Sequence, residues 1–356
     1  MTDYFKRTEK KLQRIMETRE ATVLAFETSC DDTSVAVVKN GREVLSNVTA
    51  SQIAIHNMYG GVVPEVASRK HIESISVVAK GALAEAGVGF GDIDAVVSTY
   101  GPGLVGAVLV GLNAAKGVAL SLDVPFVGVN HMRGHIAANY ISNKELEPPF
   151  LCLVVSGGHS QLIRVDSYSE FTQIACTRDD AAGEAFDKIS RELGLGYPGG
   201  IHIQKMGEGG NERAYTFTRP KMKGNQLDFS FSGLKTAVMN IIRSEKNMTQ
   251  EIMRDICASF NRTVVEMLVD NTFEALDELN SQGKSYSLAV AGGVAANKML
   301  RDALISRSAK KGIPFYSPEI KYCTDNASMI GCEGYYKLIR GERDDLTLNA
   351  IPYLEI

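Results

Sequence analysis

The sequence predicts an α/β protein built of two similar lobes, and three observations predict it. Each half opens with an apolar strand, a hydroxyl-bearing turn and a returning strand. These are Val23 to Phe26, Glu27 to Ser34 and Val35 to Val38, then Phe150 to Val155, Ser156 to Ser160 and Gln161 to Val165. Such self-similarity points to a duplicated fold. Elsewhere, apolar strands run into glycine-rich helix starts, at Ala95 to Gly106 and at Ser287 to Asn297. Between the halves stands Pro148-Pro149, a chain-punctuating pair.

At 356 residues there is room for two domains sharing one cleft, and 44% hydrophobic with 22% charged residues is ordinary for a globular chain. The net charge of −4 leaves no global basic footprint, so a nucleic-acid partner needs local basic patches or a helper protein. The six cysteines form no Cys-x-x-Cys pair, which suits a reducing cytoplasm. The N-terminus is charged and has no apolar signal core. The apolar run from Gly103 to Val129 contains Asn113, Lys116 and Asp123 and reads as a buried helix followed by a strand, so no membrane partner is expected.

Residues 1–21 form a basic extension in which Lys6, Arg7, Lys10, Lys11 and Arg14 follow a helical pattern, either a solvated helix or a strip for RNA phosphates. Order begins at Thr22. The turn Glu27 to Ser34 can present hydroxyls and backbone N–H groups to a phosphate, or can be an ordinary polar hairpin. Asn40-Gly41 signals the next hairpin, to a strand from Glu43 to Val48. Gly60 to His71 leads into a helix ending near Ala86, Ala95 to Thr99 is a strand, and Gly101-Pro102-Gly103 precedes a Gly/Ala-rich helix to Leu120.

The strand Pro125 to Val129 then delivers His131 and His135. If the chain turns helical there, the two imidazoles lie one turn apart on one face and can bind a first-row metal ion. Packing or surface histidines share that spacing. A zinc peptidase helix carries Glu directly after its first His as general base, whereas Met132 and Arg133 follow here and neither can take a proton from water. A metal held here would polarise or position a substrate instead.

In the second half, Asp179 to Lys188 starts a helix with an acidic first turn, and Asp187 sits deeper in it. Gly194 to Gly200 is a glycine-rich loop. Arg213, Arg219, Lys221 and Lys223 interleave with Tyr215 and Phe217, as an RNA-binding loop or simply an exposed one. Residues 250–280 form a long amphipathic helix. Ser287 to Ala291 is a strand running into Gly292-Gly293, where a helix start offers free N–H groups to a nucleotide. After a last strand, Pro314 to Ser317, Thr324-Asp325-Asn326 opens the final helix, with Asp325 either its N-cap or a third metal ligand.

Taken together, these segments resemble the bacterial TsaD family, the tRNA adenosine threonylcarbamoyltransferases once named O-sialoglycoprotein endopeptidases. The likeness is carried, in order, by Glu27 to Asp31, Gly61 to His71, Gly101 to Leu104, His131 with His135, Val155 to His159, Asp180 to Lys188, Tyr197 to Gly200, Phe231 to Lys235, Gly292 to Asn297 and Cys323 to Asn326. It implies an actin/Hsp70/sugar-kinase-like fold of two βα lobes around a nucleotide cleft. The lobes are drawn at 22–130 and 131–356, with the final helix packing back on the first. It also implies the reaction. Threonylcarbamoyl-AMP donates its threonylcarbamoyl group to the exocyclic 6-amino group of the adenosine 3′ of the anticodon, in tRNAs reading codons that begin with A, and AMP leaves.

By the same resemblance, His131, His135 and Asp325 are ligands of one divalent metal, Fe(2+) first and Zn(2+) second. Val154, Val155, Ser156, Gly157, Gly158, Asp187, Gly200 and Asn297 contact the adenylate substrate or ATP/ADP. Asp31 is the candidate proton acceptor, with a substrate phosphate as the alternative. Asp32 stands where many relatives carry Glu. Expected partners are tRNA, a TsaB-like paralogous subunit on helices 72–86 and 104–120, and a TsaE-like P-loop ATPase, all in the cytoplasm. The competing readings are a metallopeptidase, a non-catalytic ATP-binding partner of the same fold, and a sugar kinase.

Overall fold

The computed structural model describes residues 3–219, 222, 224–281 and 283–356. In chain order the first elements are α1 (Asp3–Thr18), β1 (Thr22–Glu27), β2 (Asp32–Lys39), β3 (Glu43–Ser51), α2 (Ile53–Asn57), α3 (Pro64–Ala86), β4 (Ala95–Gly101), α4 (Val105–Leu122), β5 (Phe126–Asn130) and α5 (His131–Ser142). There follow β6 (Phe150–Val155), β7 (Ser160–Val165), β8 (Phe171–Cys176), α6 (Ala182–Glu192), α7 (Gly199–Gly207), α8 (Ser232–Ser244) and α9 (Gln250–Ser281). The last are β9 (Ser287–Ala291), α10 (Lys298–Lys311), β10 (Phe315–Tyr316) and α11 (Ala327–Leu338).

The two sheets repeat one topology. The first runs β3-β2-β1-β4-β5 and the second β8-β7-β6-β9-β10. In each, three antiparallel strands are followed by two parallel ones. This is the duplication that the paired hairpins predicted. The central strands β1 and β6 are buried on both faces, which is why they read as continuous apolar runs. At the β2–β3 turn Asn40 and Gly41 take φ of 51° and 76°. A side chain at Gly41 would also strike the Tyr335 ring, its Cβ lying 2.3 Å from Cδ1.

The chain divides into two compact units, Met1–Leu146 with Pro318–Ile356, and Glu147–Ser317. This differs from the expected division after residue 130. The physical reason is α5: it follows β5 without a break, buries nearly its whole length, and packs with α11 against the first sheet. Gly134 permits the close approach, since a Cβ there would lie 2.6 Å from Ile330 Cδ1. The closing helix α11 belongs to the first unit.

The N-terminal extension is part of that unit too. Tyr4, Thr8, Leu12 and Ile15 of α1 are buried, and the Tyr4 hydroxyl donates to Val124 O at 2.5 Å. Arg343 stacks over the Phe5 ring at 4.5 Å and donates to Glu9. The free edge of β5 is covered by the C-terminal segment, with Asp344 N donating to Phe126 O at 2.8 Å.

Among the described residues α4 is the one helix long and apolar enough to cross a membrane, and 33% of it is buried. It was expected as a buried helix. Instead it shares an exposed face with α3, where a groove of about 330 Å³ is lined by Ile75, Ala79, Phe90, Ala114 and Val118, among others.

Candidate active site

The first unit assembles the expected ligand set. Asn130 caps α5, accepting from Met132 N at 2.9 Å and Arg133 N at 3.3 Å, so the helix begins at His131. One turn on, the His135 ring stands edge-on to that of His131, with centroids 4.6 Å apart. Asp325 arrives from the bend just before α11. Its neighbour Asn326, not Asp325, is the N-cap of that helix, accepting from Met329 N at 3.0 Å. The Asp325 carboxylate is therefore free to face the histidines, and lies 3.2 Å from His135 Nε2 and 3.5 Å from His131 Nε2. One donor atom from each of the three residues falls within 4.8 Å of the others.

This donor set fits a metal ion. His135 is 1% exposed, and neither of its ring nitrogens has a hydrogen-bond partner among the described residues. Its Nε2 approaches Asp325 without hydrogen-bond geometry, as two ligands of one ion do. Two imidazoles and a carboxylate suit a first-row divalent ion and leave positions for further ligands. The electrostatics agree. Burial raises the Asp325 carboxyl, but the charges of His131 first and His135 after it overwhelm this and hold it far below the usual range. At His131 burial works against the charged form, yet Glu27 and Asp325 push its pKa well up, so the site draws positive charge. His135, where burial dominates, is held down.

The turn between β1 and β2 is anchored at every residue. Glu27 Oε1 accepts from Ser29 N at 2.5 Å, and its Oε2 lies 3.0 Å from His131 Nδ1. The Thr28 hydroxyl donates to Ala107 O at 2.8 Å, and Leu104 N donates to Ser29 O at the same distance. Gly103 allows that approach, since a Cβ there would lie 2.6 Å from Ser29 O. Cys30 O faces His71 Nε2 at 3.0 Å, and Asp31 O accepts from Gln52 N at 3.0 Å. The turn is thus preorganised around Asp31, which is 8% exposed. Burial raises the Asp31 carboxyl, a hydrogen bond from Cys30 opposes this, and the Asp325 charge raises it further. Asp32 is pushed up to about 7 by burial, against a hydrogen bond from Ser51.

Glu27, Ser29 and His71 belong to the sequence motifs, which by themselves give them no role. The signal for Glu27 was present: a lone carboxylate ends a fully buried strand and must find partners there.

The second unit brings its own expected residues together. Val154 and Val155 end β6, where Val154 pairs with Ala291 of the parallel β9. Ser156, Gly157 and Gly158 form the following turn, with Ser156 N donating to His159 O at 2.8 Å. Two glycines let other segments close on it. A Cβ at Gly183 would lie 2.5 Å from Ser156 O, and one at Gly292 would lie 2.4 Å from Val155 O. Asp187 of α6 accepts from Gly199 N at 2.6 Å, holding the loop that carries Gly200. Asn297 accepts from Leu300 N at 3.1 Å, capping α10, and donates to Asn261 Oδ1 at 2.8 Å. Gly157, Gly158, Gly200 and Gly293 face open space. The carboxyl ends of parallel strands, lined by bare backbone, are where open α/β sheets bind ligands.

Other expectations change. Asp179 and Asp180 precede α6 and do not form its first turn. Asp179 accepts from Phe231 N at 2.8 Å and Ser232 N at 3.2 Å, and Asp180 pairs with Lys188 at 2.9 Å and with Lys235. In the basic loop Phe217 is buried, and Arg219 is ion-paired to Glu266 and Asp270. Lys221 and Lys223 lie outside the described residues.

Known proteins resemble the chain closely. The family model described as "TsaD: tRNA N6-adenosine threonylcarbamoyltransferase" matches residues 43–332. A protein of that name from Clostridium botulinum is 54% identical over 335 residues, 94% of this chain and 97% of its own. Another from Clostridium perfringens is 53% identical over 335 residues, 94% of this chain and 98% of its own. Among solved structures, T. kodakarensis HypF matches with a TM-score of 0.60 at 13% identity, over 90% of this chain and 48% of its own. Component A of (R)-2-hydroxyglutaryl-CoA dehydratase from Acidaminococcus fermentans matches with a TM-score of 0.52 at 14% identity, over 89% and 99%. These two show the fold alone, which is of the actin/Hsp70/sugar-kinase type.

Proposed function

The chain belongs to the TsaD family of tRNA N6-adenosine threonylcarbamoyltransferases, and from that premise we propose how it acts. It is an acyltransferase of tRNA modification. The donor is threonylcarbamoyl-AMP, and the acceptor is N6 of the adenosine 3′ of the anticodon in tRNAs reading codons that begin with A. The amine nitrogen bonds to the carbamoyl carbon. The bond from that carbon to the phosphate oxygen breaks, AMP leaves with the electron pair, and N6 gives up a proton.

The first unit handles the acyl group. His131, His135 and Asp325 hold one divalent ion, Fe(2+) first and Zn(2+) second, which when bound supplies Lewis acidity toward a substrate oxygen. Asp31 takes the N6 proton, and its raised pKa makes it a better base than an exposed Asp. The rigid turn around it keeps that carboxylate in place. The second unit binds the adenylate, with Val154 to Gly158 contacting it, Asp187 and Gly200 toward the ribose and base, and Asn297 toward the adenine.

The observation that carries this reading is the His131–His135–Asp325 cluster in a chain 54% identical to a named transferase. It also favours the transferase over the alternatives. A metallopeptidase would need a base beside His131, where Met132 is buried. A scaffold of the same fold would have no use for three converging ligands. The exposed face of α3 and α4 docks a TsaB-like paralogous subunit, a TsaE-like P-loop ATPase sustains repeated turnover, and the complex works in the cytoplasm.

The test is transfer of labelled threonine into unmodified tRNA in the presence of ATP, bicarbonate, the adenylate-forming enzyme and both partners. Label in tRNA that depends on this chain supports the proposal. Equal labelling without the chain, or release of peptides from a protein substrate in its place, refutes it.

A further inference from the structure

We infer that Glu27 is a positioning residue for His131, fixing which ring nitrogen faces the metal site and supplying a second negative charge beside it. This role rests on the metal-site reading above. Glu27 is 0% exposed, and a carboxylate so buried persists only where donors meet it. Three do. Ser29 N donates to Oε1 at 2.5 Å, and the Thr99 hydroxyl and His131 Nδ1 both reach Oε2, the latter at 3.0 Å.

The chemistry of these partners fixes the tautomer. An ionised carboxylate only accepts, so the proton between Glu27 and His131 sits on Nδ1. Ser29 Oγ, 3.2 Å from the same nitrogen, can share that proton as a second acceptor. The other nitrogen, Nε2, is then left to bind a metal, and it is the one that points toward Asp325. A carboxylate hydrogen-bonded to a ligating imidazole orients the ring and raises its basicity. Nothing of the kind steadies His135, whose Nδ1 has no partner among the described residues.

Charge strengthens the case. Two neutral imidazoles, Asp325 and Glu27 together carry two negative charges, enough to balance a divalent ion in this buried place. Asp325 alone leaves one positive charge over. Glutamine at position 27 is the informative variant, because it keeps the shape but loses the charge and turns one acceptor into a donor. Either amide orientation then opposes an N–H or O–H group already present.

Zinc titrations of the purified chain, in competition with a chromophoric chelator, test this. Glu27→Gln is expected to bind zinc about tenfold to a hundredfold more weakly than wild type. Thr99→Val removes another donor from the same oxygen and measures ordinary loss of a buried hydrogen bond, so it should leave zinc affinity nearly unchanged. Equal affinity of Glu27→Gln and wild type overturns the inference while His131→Ala still loses zinc. If His131→Ala binds as tightly as wild type, the metal-site reading beneath it falls as well. A second measurement needs no variant. In zinc-loaded wild type, ¹⁵N imidazole spectra should show His131 protonated at Nδ1 and bound through Nε2, and the reverse assignment overturns the inference.

Discussion

His71 Nε2 lies 3.0 Å from the carbonyl oxygen of Cys30, buried beside the turn that carries Asp31. A carbonyl only accepts, so His71 donates from Nε2, while its Nδ1 faces a hydroxyl and an amide NH2. Thr33 Oγ1 stands 2.8 Å and Gln52 Nε2 3.4 Å from that Nδ1. Gln52 Oε1 in turn lies 3.1 Å from His56 Nε2, and His56 Nδ1 accepts from Val63 N at 3.3 Å. These contacts tie the Asp31 turn to the start of α3 through two buried histidines.

Acid should break this network. Burial lowers the His71 pKa from its ordinary value of 6.5, against a hydrogen bond to Cys30 O and nearby acidic charge that raise it. The unfolded chain then binds a proton that the folded chain refuses. Stability from His71 is fully present above pH 6.5 and is lost as pH falls below it. Replacing His71 with Ala should cost about 1–3 kcal/mol near neutral pH, since it strands buried donors and acceptors. It should also flatten the acid limb of the stability curve in urea unfolding. An unchanged acid limb would mean that another group sets it.

Glu333 should act in the opposite direction. It is 1% exposed, and its Oε1 has no hydrogen-bond partner among the described residues. Burial pushes its carboxyl from 4.5 up to about 7, although Arg133, Arg340 and Lys337 oppose the shift. The folded state keeps a proton that the unfolded state has released, so stability falls as pH rises from 4.5 to about 7. Such a shift corresponds to about 3 kcal/mol. Glu333→Gln should therefore gain stability over wild type at pH 8 and match it at pH 4. Parallel curves for the two proteins would contradict this.

The N-terminal helix gives a third prediction. Leu12 is 4% exposed and packs inward, whereas the basic residues of α1 are partly committed elsewhere. Arg7 meets Asp123 at 2.7 Å, Arg14 pairs with Asp94, and Lys11 donates to Leu122 O at 3.0 Å. Leu12→Ala should lower stability by about 2–5 kcal/mol. A frayed helix would lose almost nothing on the same change.

The fourth prediction concerns the face of α3 and α4. Ile72 and Leu120 are 65% and 44% exposed there. Changing both to Glu should leave the melting temperature nearly unchanged and abolish co-elution with the proposed TsaB-like subunit. Retained co-elution would move the docking site elsewhere.

Periodicity made much of this architecture legible. The twin hairpins, the spacing of His131 and His135 and the long helix of residues 250–280 all carry their structure in local pattern. What stayed hidden is non-local. Glu27 and His131 are 104 residues apart, and nothing in either neighbourhood announces their contact. Asp325 and Asn326 are both good helix caps, and only the packing of α11 decides which one is spared for the histidines. The unit boundary was missed because α5 buries its face against an element from the far end of the chain. β8 carries no clear apolar alternation, being a partly exposed strand at a sheet edge.

The measurement that bears most directly on the central claim joins metal content to transfer in one preparation. Wild type and Asp325→Ala would be purified side by side, their bound iron and zinc counted per chain, and each assayed for threonylcarbamoyl transfer to tRNA with both partners present. The account predicts one ion per wild-type chain, none in the variant, and loss of transfer with the loss of metal. Full transfer by a metal-free Asp325→Ala chain would contradict it.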